Sequence, residues 1–165
     1  MERVFLDYST AKLRQYHERI AVCLDQLTNE QIWTKGHANE NAIGNLVLHL
    51  SGNVRQWIVA SLGGAPDTRQ RDTEFAAKAS TNLLALLNAA VDEAIPIIDS
   101  LTPERLAERI QIQKYNLTVM EAVYHVVEHF SMHTGQVVFA TKLLTGGDLG
   151  FYKHLTAVEH REEIP

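Results

Sequence analysis

The chain has 165 residues, 45 % of them apolar and 21 % charged, with a formal net charge of -5. That is the size and balance of a single globular domain, 1–165, with its own hydrophobic core. The acidic balance and the lack of a Lys/Arg cluster argue against a nucleic-acid partner, and no stretch approaches the roughly 20 apolar residues of a membrane span. The start, MERVFLDYST, mixes acidic and basic residues where a secretory signal has a basic start and an apolar run. Cys23 is the only cysteine, so no intrachain disulfide can form, and a cytoplasmic location is the expectation. Cys23 lies between Val22 and Leu24 in an apolar pattern and reads as a buried structural thiol.

Four long segments carry helical periodicity and strand-like alternation is scarce, which predicts an all-α protein. The first helix, about 3–27, has its stripe at Leu13, Tyr16, Ile20, Leu24 and Leu27. Thr28-Asn29-Glu30 breaks it and opens a short turn carrying Ile32 and Trp33. The second helix, about 41–62, is expected to be capped by Asn39 or Asn41 and to end at Gly63-Gly64-Ala65-Pro66. The third, about 73–100, is expected to start at a cap on Asp72 or Thr73 and to be kinked or weakened at Pro96. From Thr102 to Leu117 the chain reads as a looser crossover, with a short turn at Pro103 to Leu106 and extended alternation at Ile110, Ile112 and Tyr115.

The fourth helix, about 118–145, opens on a capping box, Thr118 with Glu121, and closes at Gly146-Gly147. Its charges are few, and Val123, Val127, Val138 and Phe139 suggest a second apolar stripe. An amphipathic helix needs one such stripe for its own bundle; a second predicts a homodimer. Four helices of this length with a loose stretch between the third and fourth predict a four-helix bundle with a long crossover connection. The tail, 146–165, is expected to drape over the bundle and fray at its end.

The fourth helix contains HVVEHFSMHTGQ, with His125, His129 and His133 spaced four apart. Residues four apart on a helix differ by about 40° and about 6 Å of rise, so two such imidazoles can reach one cation. His129 and His133 share a face with Ala122, Val126, Gln136 and Ala140, whereas His125 lies about 80° from His133 and two turns away. At most two of the three therefore bind one ion, and a further ligand must come from another element. The best outside candidate is His49, on a partly apolar face of the second helix. His37 lies in a loop, His17 beside Glu18 reads as a surface residue, and His154 and His160 fall in the tail. Three histidines with open positions are a catalytic rather than a structural type of site. Imidazole serves Zn, Ni, Fe and Cu alike, so ligand type does not choose the metal. The alternative is a buried polar seam in which each histidine bonds to a neighbour.

NAIGNLVLHLSGNVRQW, RQRDTEF and LTVMEAVYHVVEHFSMHTGQVVFATKLL resemble the DinB/YfiT-like superfamily over about residues 5–153, most specifically in HLSGN and HxxxHTGQ. The resemblance implies a metal-binding four-helix bundle, usually a homodimer. It implies one histidine ligand on the second helix and two on the fourth, the last just before a Gly-Gln pair. Carried over by position, these are His49, His129 and His133, because Gly135-Gln136 follows His133. The superfamily includes metal-dependent transferases of bacillithiol and mycothiol. The implied function is a divalent-metal-dependent thiol S-transferase using Zn, Ni or Fe and a low-molecular-weight thiol cosubstrate. Alternatives are a non-catalytic metal-binding homodimer and a metal-dependent hydrolase. No catalytic side chain is assigned.

Around the ligands, Asn53 is one turn beyond His49 and could hold a water or a substrate group. Gln136 could bond a ligand, and His125 would fill the interior beside the site. Arg71 reads either as part of an ordinary cap and ion pair with Asp72 or as a receiver for a substrate carboxylate at the pocket mouth. Glu128 points away from His129 toward solvent or a second subunit, and Trp33 and Trp57 read as core or interface aromatics.

Overall fold

The computed structural model describes residues 1–80 and 82–153. Its first helix, α1 (Glu2–Asp25), buries Leu6, Leu13, Ile20 and Cys23 on one face. Tyr16 and Leu24, also expected on the stripe, are only partly buried at its edge. A one-turn helix, α2 (Asn29–Trp33), follows, and its capping box is complete: Thr28 Oγ1 accepts from Gln31 N–H and Gln31 Oε1 accepts from Thr28 N–H.

Helix α3 (Ile43–Val54) continues into a π-helical segment, Arg55–Ala60. The wider winding appears in Ser61 N–H donating to the Gln56 carbonyl and Gly63 N–H to the Ile58 carbonyl, five residues back. The expected caps, Asn39 and Asn41, do not cap it. Ala42 precedes the helix, and its N–H is taken by Asn45 Oδ1 at 3.1 Å, so the side chain reaches back from inside the first turn.

The third predicted helix is two helices, α4 (Arg71–Ala76) and α5 (Leu83–Asp99). Asp72 is not a cap but a first-turn residue of α4, which starts after Gln70. The physical cause of the break is tertiary. Asn45 Nδ2 donates to the carbonyls of Glu74 and Ala77, both at 2.9 Å. A continuous helix would have used those carbonyls itself. Ser80 and Asn82 also favour non-helical local bonding. Helix α5 runs through Pro96, which sits in its last turn, so few following bonds depend on it.

The crossover contains a short helix, α6 (Pro103–Ala107), capped by Thr102, and an antiparallel hairpin, β1 (Arg109–Ile112) and β2 (Tyr115–Thr118). Ile112 pairs with Tyr115 across a two-residue turn in which Gln113 takes φ 54°. The extended alternation read from the sequence is thus a closed hairpin. Helix α7 (Val119–Thr145) has the predicted Thr118–Glu121 capping box and ends at Gly146 with φ 64°.

The main packing runs around a ring, α1 against α5, α5 against α3, α3 against α7 and α7 against α1. The α1–α3 and α5–α7 connections therefore cross the bundle. The core contains Leu6, Leu13, Ile20, Leu50, Ile58, Leu87, Ile98, Val123 and Phe130, all buried. Each such side chain contributes about 1.5–3 kcal/mol by leaving water. Cys23 is buried among them, and burial raises its thiol pKa, as expected of a structural cysteine.

Two expectations fail here. Val123 is fully buried in the bundle's own core, and Val127 and Val138 pack against it, so they form no second stripe. Of the expected stripe Phe139 alone is exposed, at 66 %, and the other exposed apolar residues of α7 are Met120, Tyr124, Met132, Leu143 and Leu144. His17 is half-buried rather than a surface residue, and its Nε2–H donates to Asn88 Oδ1 on α5. Leu149 and Phe151 of the tail pack on the bundle, with Arg19 over the Phe151 and Tyr152 rings; His154, His160 and the expected frayed end lie outside the described residues. No helix of the described residues is long and apolar enough to cross a membrane.

Candidate metal centre

Helices α3 and α7 bring three imidazoles to one point. His49 Nε2 and His133 Nε2 each lie 3.1 Å from His129 Nε2. The ligand atoms of the three residues all lie within 4.8 Å of one another, so the group could hold a metal ion. His129 and His133 meet because they are four apart on α7. His49 meets them because Leu46, Val47 and Leu50 fix the rotation of α3 against the core. His49 itself is only 6 % exposed.

The protons discriminate between a metal site and a polar seam. Glu74 Oε2, an acceptor only, lies 3.0 Å from His49 Nδ1 and favours the proton on that nitrogen. Gln136 Oε1 lies 2.6 Å from His133 Nδ1 and places the proton there likewise. Both outer imidazoles then present bare Nε2 lone pairs to His129. A single His129 Nε2–H could satisfy only one of them. His129 Nδ1 is buried without a hydrogen-bond partner among the described residues, with or without an ion on Nε2. A cation satisfies all three lone pairs at once. Two nitrogens bound to one ion at about 2.0–2.1 Å stand about 2.9–3.4 Å apart for octahedral to tetrahedral angles, and both 3.1 Å spacings to His129 fall in that range.

Electrostatics agree with this fit, since a metal needs neutral imidazole. Burial, then the neighbouring His133, His49, His125 and Arg69, pushes His129 down to about 3. Burial also lowers His133, with Gln136 opposing and His49 assisting. Burial lowers His125, against the pull of Glu128.

The remaining sequence candidates divide. His125 is outside the cluster; its ring lies 5.7 Å from His129 and packs tilted against Trp57 at 4.1 Å. Trp57 is buried, as expected of a core aromatic; Trp33 is half-buried over Gly44, where a Cβ would approach its ring to 2.7 Å. Asn53 is buried, and its Oδ1 has no partner among the described residues. Gln136 is exposed but bonded to His133. Glu128 is exposed. Arg71 is exposed and lies over the Phe75 ring at 4.9 Å, while Phe75 packs on His49 at 4.7 Å.

The arginine that reaches the cluster is Arg69, which sequence reasoning passed over together with Glu74. Arg69 Nε and Nη2 donate to the two Glu74 oxygens at 2.7 and 2.9 Å, and both side chains are nearly buried, 5 % and 10 % exposed. Arg69 Nη2 is also 3.0 Å from His49 Nδ1. Nδ1 thus faces an acceptor and a donor at the same distance, and the proton goes to the carboxylate side because Arg69 Nη2 has Glu74 Oε2 to donate to instead. Burial raises the Glu74 pKa, but the bonds to Arg69 and His49 outweigh it and hold the carboxyl below its ordinary value. Gly52 makes the approach fit, because a Cβ there would stand 2.1 Å from Glu74 Oε1. The legible signal was the glycine of HLSGN. Gly inside a helix costs about 1 kcal/mol relative to Ala and implies something close by.

The helix order and crossover are those of a four-helix bundle, with a histidine cluster between its second and fourth long helices. The chain belongs to the family described as "Protein of unknown function (DUF1572)", whose model matches residues 1–158. Among solved structures it is similar to a conserved protein of Enterococcus faecalis, with 21 % identity, TM-score 0.69, and 84 % of this chain and 96 % of that one covered. It is also similar to YjoA, a DinB-like protein of Bacillus subtilis, with 16 % identity, TM-score 0.66, and 90 % and 96 % covered. These likenesses carry the fold. No curated protein matches the chain.

Proposed function

We propose that the protein is a divalent-metal-dependent thiol S-transferase that works as a homodimer. The observation that carries this reading is the convergence of His49, His129 and His133 Nε2 atoms in steps of 3.1 Å. The three imidazoles would hold Zn, Ni or Fe. A divalent cation bound there would lower the pKa of a low-molecular-weight thiol and supply a thiolate near neutral pH.

The chain's own part is holding and orienting. Glu74 and Gln136 aim two of the ligands. Phe75 packs on His49 at 4.7 Å and covers that ligand from the α4 side. Asn53 Oδ1, buried and unpaired among the described residues, is free to accept a hydrogen from a bound substrate. Arg71, exposed over Phe75, would meet an acidic group on the cosubstrate. In the reaction the thiol proton passes to solvent, and the sulfur pair forms a bond to the electrophilic carbon. The leaving group departs with its own electron pair. The hydrolase reading is weaker because Glu74, the carboxylate in contact with the cluster, is committed to Arg69 and His49 and has no oxygen left to act as a base toward water.

The test is metal-loaded protein assayed with several thiols and a chlorinated aromatic electrophile. A thiol-dependent rate that vanishes in His129→Ala is expected. No metal-dependent rate with any thiol would contradict the reading. For the homodimer, Tyr124, Met132, Phe139 and Leu143 supply the apolar face along α7. Sedimentation should give a dimer, and Phe139→Glu a monomer.

A further inference from the structure

His49 Nδ1 lies against a neighbouring buried ion pair, Arg69 with Glu74. Glu74 takes the Nδ1–H at 3.0 Å, and Arg69 grips both Glu74 oxygens. Arg69 is itself anchored: Nη1 donates to Gln56 Oε1 at 3.0 Å, and Gln113 Nε2 on the hairpin turn donates to the same oxygen at 2.7 Å. Gln56 Nε2 donates to Asp67 at 2.7 Å. The π-helical segment, the 61–70 loop and the hairpin thus converge on one carboxylate.

We propose that Arg69 and Glu74 are positioning residues that hold His49 in the Nδ1–H form, so that its Nε2 lone pair faces the cation site before any ion arrives. The proposal rests on the three-histidine reading above. An isolated imidazole favours neither orientation strongly enough to be pre-set, and a ligand held in the wrong form must lose and regain a proton to bind. Ligating histidines with such outer partners lose roughly 10–100-fold in metal affinity when the partner is removed. Arg69 also neutralises Glu74, so a buried carboxylate can stand beside the histidine without remaining an unpaired charge. Gly52 is the third member of the device, since any side chain there would occupy the place of Glu74 Oε1.

Two readouts test this. The first is long-range proton–nitrogen NMR of the histidine rings in metal-free protein, which reports which nitrogen is protonated. The second is Zn affinity by competition with a chromogenic chelator. Wild type should show His49 in the Nδ1–H form. Glu74→Ala should shift it toward Nε2–H and weaken Zn binding about 10–100-fold. Because Glu74→Ala strands the Arg69 charge and risks unfolding, the double variant Arg69→Met with Glu74→Ala, which leaves no unpaired buried charge, should give the same two changes. Glu74→Gln, which keeps an acceptor oxygen, should restore the Nδ1–H form. An unchanged His49 form in the folded double variant overturns the proposal, as does a wild-type His49 already in the Nε2–H form. Wild type that binds no Zn would refute the metal reading, while the metal-free NMR would still decide the role of Arg69 and Glu74.

Discussion

His49 and His133 present the same atom to the same point, yet their supports are opposite in kind. His49 is buried on α3 and backed by a charged, arginine-clamped carboxylate from α4. His133 is half-buried on α7 and backed by an exposed neutral amide from the same helix. The Gln136 support costs the fold almost nothing to form, because residues three apart on a helix are neighbours anyway. The Glu74 support needs α3 and α4 to be joined in register, which Asn45 achieves through two carbonyls, and needs a glycine to make room. One side of the site is therefore local, and the other exists only in the folded bundle.

The harshest way to break the comparison is to remove the histidine both sides share. His129→Ala should weaken metal binding by more than the roughly 100-fold upper range of an outer partner, read by chelator competition. Gly52→Ala attacks only the buried side. Ala is favoured over Gly in a helix by about 1 kcal/mol. Here its Cβ would displace a Glu74 oxygen 2.1 Å away, so the bonds to Arg69 and His49 bear the cost. Metal affinity should fall by about 10-fold or more while the melt stays cooperative. Gln136→Ala attacks only the exposed side, where water can replace the lost acceptor, and should cost less than about 10-fold. If Gln136→Ala proves as damaging as Gly52→Ala, the contrast between the two supports is wrong.

Acid offers a smaller, continuous test on metal-free protein. His129 has a folded pKa of about 3, below the 6.5 of a free imidazole. Between these values the unfolded chain binds a proton that the folded chain does not, so stability rises with pH. The contribution is complete above pH 6.5 and drains away as pH falls toward 3. His125 and His133, lowered by burial, act in the same direction. The urea midpoint should fall between pH 7.5 and 4.5, with each proton worth at most about 1.4 kcal/mol per pH unit. A flat midpoint would mean that the histidines are solvated.

What could be read from the sequence follows the same division. That α7 carries ligands was legible as spacing, because i, i+4 geometry holds on any helix, while the choice of His129 and His133 came from the resemblance through Gly135-Gln136; the Thr118–Glu121 cap and Gly146 end were legible for the same local reason as the spacing. His49 was reached by elimination and resemblance, and the bundle places it beside His129. Arg69 and Glu74 were not singled out, although RQRDTEF was quoted, because their meaning depends on a loop folding back over Gly52. The same dependence misled the reading of the third helix, whose break is made by Asn45 from another element. The second apolar face of α7 was assigned to Val123, Val127, Val138 and Phe139; periodicity alone could not separate the three valines from the core, whereas Phe139 is exposed, with Tyr124, Met132 and Leu143.

The central claim is that three imidazoles from two helices bind one cation. It is tested most directly by elemental analysis of Zn-loaded, dialysed protein, wild type beside His49→Ala. One ion per chain in wild type and a stoichiometric loss in His49→Ala is the predicted result. An ion retained in full by His49→Ala, or none held by wild type, would contradict it.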